Sequence, residues 1–181
     1  MIRTSTSVTL TRTGRRWGVS IALGLFLIAG PALGADTTPP DIAYTLNPVP
    51  NADGWNNSSV TLSWTVTDPQ SPNNIRRSGC GSVTRTTDTS GTTYTCSARS
   101  PGGSSNKSVT IKRDTVLPTA TITTPSNGAT FTAGTTVTPA YNCNDARSGI
   151  ATCTATPIDT ATAGTNKAFK VTATDRASLQ L

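Results

Sequence analysis

Apolar and polar residues alternate with a period of two in short runs, and outside the first 35 residues no run repeats with the period of a helix. The clearest run places Val60, Leu62, Trp64 and Val66 on one face and Thr61, Ser63, Thr65 and Thr67 on the other, which predicts a half-buried strand with Trp64 in the core. Ile42–Leu46, Val83–Thr87, Thr92–Ala98 and Ser108–Lys112 read the same way. So do Ala120–Thr123, Ile150–Ala155 and the run in which Phe169, Val171 and Ala173 alternate with Lys170, Thr172 and Thr174. Turn signals separate them: Asp53-Gly54, Asp88-Thr89-Ser90-Gly91 (a hairpin or a tight corner), Pro101-Gly102-Gly103, Asn127-Gly128 and Ser148-Gly149. Phe131, Val137 and Tyr141 are further core candidates.

The strand text is written twice. Asp36-Thr37-Thr38-Pro39-Pro40 and Asp114-Thr115-Val116-Leu117-Pro118 share an Asp-Thr-x-x-Pro frame 78 positions apart (114 minus 36). A fixed period in turn-rich β text predicts an array of small β modules, here 36–113 and 114–181. The second copy is about ten residues shorter than the first, roughly one turn and one strand.

Residues 1–35 read differently. Arg3, Arg12, Arg15 and Arg16 precede an apolar run from Trp17 to Ala29, and Pro31-Ala32-Leu33-Gly34-Ala35 supplies small residues for cleavage. That layout predicts a secretory signal peptide. An uncleaved anchor is the alternative, though the run is short against the ~20 residues that a spanning helix needs. The signal holds four of the fifteen Lys and Arg and none of the nine acids, so the rest of the chain carries 11 minus 9, or +2. The basic balance therefore reports export rather than a nucleic-acid partner, and no basic cluster interleaved with aromatics appears.

Modules this small bury thin cores and need staples. Four cysteines in an exported chain supply them. Of three possible pairings, Cys80–Cys96 and Cys143–Cys153 keep each bridge inside one module. Neither spacing is a zinc pattern, and there is no His.

Both modules resemble bacterial immunoglobulin-like (Ig-like) repeats of secreted and cell-surface proteins. The first does so in Asp36–Pro40, in Gly54-Trp55-Asn56-Asn57 ahead of the Val60–Val66 strand, and in Ser78-Gly79-Cys80-Gly81 with Tyr94-Thr95-Cys96-Ser97. The second does so in Tyr141-Asn142-Cys143, in Asp145-x-x-Ser148-Gly149-Ile150, in Cys153 and in Val171–Asp175 followed by Arg176-Ala177. The resemblance implies two tandem all-β sandwiches acting as spacers, stalks or adhesion modules. Tyr94, two residues before Cys96, stands where a tyrosine pins a strand corner through its hydroxyl, or is a plain strand residue. Such repeats usually continue Ala-Gly-Asn and a closing strand, whereas Ala177 is followed by Ser178-Leu179-Gln180-Leu181. The second sandwich is therefore expected to lack its last strand, and an open edge invites pairing with another chain.

Without His or Glu, the usual general bases reduce to Asp, Lys and Tyr, and the Ser-His-Asp and Cys-His arrangements are excluded. No catalytic residue is expected. In an Ig-like sandwich the start of the chain and two inter-strand loops share one pole. That brings Asp114, Asp145 and Asp175 together as candidate calcium ligands, or as loop caps that accept backbone N–H groups. The leading expectation is a non-enzymatic extracellular structural or adhesive protein. The alternative is a glycan- or polymer-binding accessory module of a secreted enzyme, with Trp55 as its exposed aromatic platform, unless Trp55 folds over the sandwich edge. The partners expected are a surface polysaccharide or another extracellular protein, with no membrane span after signal cleavage.

Overall fold

The computed structural model describes residues 34–165 and 167–181. The expected export signal lies outside the described residues except for Gly34 and Ala35. All regular structure among the described residues is β, and none of it is a helix long and apolar enough to cross a membrane.

The first half forms two sheets. β1 (Asp41–Asn47), β3 (Val60–Thr67) and β5 (Val83–Arg85) pair antiparallel in the order β1-β3-β5. β2 (Trp55–Asn56), β7 (Gly103–Arg113), β6 (Thr89–Ser100) and β4 (Arg76–Ser78) form the other, with β2 parallel to β7. Alternation along the strands turns one face of each sheet toward the other. Val60 and Leu62 of β3 meet Val109 and Ile111 of β7, with Leu46, Trp64 and Tyr94 packed around them. Ile42, Cys96 and Ala98 form a second cluster that Trp64 also touches. Fully burying each large aliphatic side chain is worth about 1.5–3 kcal/mol, so these residues are the energetic centre of the fold. Tyr94 lies half-buried against the first cluster, and its hydroxyl takes part in no hydrogen bond among the described residues.

The turn at Asp88 is a corner rather than a hairpin, because β5 pairs with β3 while β6 pairs with β4 and β7. Asp88 fixes the corner by accepting from the Arg113 guanidinium and from the N–H and hydroxyl of Thr115. β4 is an edge strand whose three residues are all exposed, and Arg76 and Arg77 there disfavour pairing with a second sheet.

The second half repeats part of this plan. β8 (Thr119–Thr124) pairs antiparallel with β9 (Ala140–Asn144), as β1 does with β3. β10 (Ile150–Ala155) pairs antiparallel with β11 (Val171–Asp175), as β4 does with β6. β1 and β8 both end at a cis X-Pro bond, Asn47-Pro48 and Thr124-Pro125. Counterparts of β5 and β7 are absent among the described residues, and the buried apolar set shrinks to Pro118, Val171, Ala173 and Ala177. Phe131, expected in the core, is 43% exposed on the segment between β8 and β9, which forms no strand. Tyr141 is half-buried and meets Phe169 at 6.5 Å between ring centroids.

The chain does not simply stop after β11. Asp175 to Ser178 turns it back, Leu181 N–H donates to the carbonyl of Ala173, and Gln180 bridges Thr174 antiparallel. Ser178 takes φ 69°, a left-handed conformation that favours glycine.

Both disulfides join the expected partners but do different work. Cys80–Cys96 ties the loop after β4 to β6 within one sheet. The chain reaches that point through Gly79, whose φ is 70° and where a Cβ would collide with the carbonyl of Thr95. Cys143–Cys153 joins β9 to β10 and so clamps the two small sheets of the second half to each other.

A candidate cation centre at the junction of the two halves

The end of β7 delivers Asp114 to the start of the second half, the turn after β9 delivers Asp145, and the end of β11 delivers Asp175. One carboxylate oxygen from each lies within 4.8 Å of the others. Asp114 and Asp175 are fully buried and Asp145 is half-buried. Their surroundings differ. Asp145 Oδ1 accepts from the N–H groups of Arg147, Ser148 and Gly149 and from the Ser148 hydroxyl. Burial opposes ionisation of Asp145, but these hydrogen bonds outweigh it and hold its carboxyl below the usual range. Asp114 accepts from Val116 N–H through Oδ1 at 3.1 Å and from Ser148 N–H through Oδ2 at 3.0 Å. The guanidinium of Arg147 stands 3.8 Å from Asp114 Oδ1. Asp175 has the poorest environment. Oδ1 accepts from Leu179 N–H at 2.8 Å, while Oδ2 is buried with no hydrogen-bond partner. Burial first, then the charges of Asp145 and Asp114, push its carboxyl above the usual range.

Capping accounts for most of these oxygens, as Asx-turns do. It does not account for Asp175 Oδ2. A buried acceptor without a donor costs about 1–3 kcal/mol, and more when it is charged.

The first half has the same pole in another form. Asp36 stands at its start, Asp68 follows β3, and Ser100 ends β6 where Asp175 ends β11. Asp36 accepts from Gly102 N–H at 2.9 Å and Thr38 N–H at 3.2 Å. Burial opposes its ionisation, but these bonds and the hydroxyls of Ser71 and Ser100 hold its carboxyl below the usual range. Asp68 Oδ1 caps Gln70 and Ser71, as Asp145 caps Arg147 and Ser148, and Asp68 Oδ2 is buried without a partner. This pole carries two carboxylates and a hydroxyl where the second carries three carboxylates. The matching Asp-x-x-Ser at Asp68–Ser71 and Asp145–Ser148 was the sequence signal for it.

Trp55 does not offer the expected platform. It is 7% exposed because β2 runs along β7, and Lys112 Nζ lies 5.7 Å from its ring centroid. No family model matches the chain, and neither a curated protein nor a solved structure is significantly similar to it.

Proposed function

We propose that this chain is an exported, non-enzymatic structural module of the cell exterior, a spacer or stalk built of two tandem Ig-like sandwiches. Among the described residues the second sandwich carries no full closing strand, and residues 1–35 serve as the export signal. The observation that carries this reading is the junction. Asp114 N–H donates to Asn56 carbonyl oxygen at 2.9 Å. Asn51 Nδ2 donates to Arg176 carbonyl oxygen at 2.8 Å and to Ser178 Oγ at 3.0 Å. The other side of the Asn51 amide is held as well, since Oδ1 accepts from Asp53 and Trp55 N–H. The chain thus passes from one half to the other under hydrogen bonds that span more than 120 positions, rather than through a free linker. Two disulfides, one per half, suit an oxidising compartment and a load along the chain. Partners of such a spacer are a surface polysaccharide or another extracellular protein. The polymer-binding alternative loses its anchor with the burial of Trp55.

Single-molecule stretching of the oxidised chain tests the spacer reading. Two unfolding events are expected, each lengthening under reductant by the disulfide-closed segment, 16 positions in one half and 10 in the other. One featureless extension at low force would overturn it.

A further inference from the structure

The geometry points to a calcium-binding site formed by Asp114, Asp145 and Asp175, in which the cation would also satisfy the buried, unpartnered Asp175 Oδ2. The three carboxylates carry a charge of −3, and Arg147 offsets one unit, which leaves −2 around one point. A buried pole of that charge needs a compensating cation, and a divalent one balances it. Every side-chain ligand is oxygen, and all four cysteines are in disulfides. Hard cations therefore fit and thiolate- or imidazole-seeking metals do not. Size separates the hard cations. Two oxygens on opposite sides of one ion can be no farther apart than twice the metal–oxygen distance, about 4.6–5.2 Å for calcium and about 4.0–4.2 Å for magnesium. The three oxygens lie within 4.8 Å of one another, inside the reach of a single calcium ion. Calcium takes ~6–8 oxygens, so water completes the shell.

The first half supplies a built-in comparison. Its pole replaces the third carboxylate by Ser100, whose hydroxyl serves Asp36 as a donor. That leaves two carboxylates at the first pole where the second has three, and it defines the test: Asp175→Ser removes the third carboxylate and gives the second pole the arrangement of the first.

The experiment uses the chelator-stripped chain titrated with calcium chloride alone, read by melting temperature and by calorimetric binding. The unchanged chain is expected to bind one calcium. At ten times the dissociation constant, its melting temperature rises by about 3–6 °C for a chain of this size. Asp175→Ser and the near-isosteric Asp175→Asn are each expected to lose both responses, while in chelator they melt no lower than the unchanged chain. Near-ultraviolet circular dichroism confirms that at least one of the two is folded. Magnesium is expected to give a smaller shift. No heat and no shift at millimolar calcium would overturn the site, and so would undiminished calcium binding by a folded Asp175 variant.

Discussion

Breaking Cys143–Cys153 is expected to unfold the second half while the first survives the loss of its own bridge. The perturbation is the paired substitution Cys143→Ala with Cys153→Ala, set against Cys80→Ala with Cys96→Ala. In the chain-entropy account, bridges spanning 10 and 16 positions contribute about 2.7 and 3.1 kcal/mol, so the bare entropic losses are nearly equal. What differs is what remains. The first half keeps Val60, Leu62, Val109, Ile111 and Ile42 in its core. The second half keeps Pro118, Val171, Ala173 and Ala177, two of which bury no more than a methyl group. At ~0.05–0.15 kcal/mol per residue, 68 residues are stable by roughly 3–10 kcal/mol, and the thin core places this half near the lower figure. The loss of ~2.7 kcal/mol then consumes most of its stability, and it also frees β9 from β10, which no shared ladder joins. Hydrogen exchange read by mass spectrometry resolves the two halves. In Cys143→Ala/Cys153→Ala, the amides of β8 to β11 are expected to exchange without protection while those of β3, β6 and β7 stay protected. In Cys80→Ala/Cys96→Ala all strands stay protected at a lower melting temperature. Protected β10 and β11 in the first double variant would refute the reasoning.

Three further outcomes follow from the same structure. Leu62→Ala removes a fully buried side chain between the two sheets and is expected to cost about 2–5 kcal/mol in urea unfolding. Asn51→Ala breaks the amide link to Arg176 and Ser178, and a loss of about 0.5–1.5 kcal/mol per hydrogen bond is expected to appear as faster exchange at the turn after β11. Asp36 is ionised more readily in the folded chain than in the unfolded one, so its contribution is present above the ordinary value of 3.8 and is lost as pH falls through its lower folded value. Asp36→Asn is therefore expected to flatten the acid limb of a melting-temperature profile below about pH 4 and to leave the slope at neutral pH unchanged.

The period-two runs made most of the strands legible, because strand alternation is a short-range pattern, whereas the grouping of Asp114, Asp145 and Asp175 was expected only from the topology that the Ig-like resemblance implies. Burial of loop residues was not legible. Trp55 sits in a polar Gly-Trp-Asn-Asn stretch that reads as exposed, and only its parallel pairing with β7 covers it. Phe131 failed in the opposite sense, since its apolar character says nothing about whether a neighbouring sheet exists to receive it. The closing residues form no strand, as expected, but a single antiparallel bridge at Gln180, which leaves no alternating pattern, turns them back onto β11. The orphan oxygen of Asp175 is a property of three converging segments and has no trace in any one of them.

A spacer needs its two halves to move as one body. Backbone 15N relaxation of residues 36–181 measures this directly through the rotational correlation time of each half. Equal correlation times for β1–β7 and β8–β11, with no fast internal motion at Arg113 to Thr115, are the predicted result. Distinct, shorter correlation times with a mobile segment at Asp114 would contradict it.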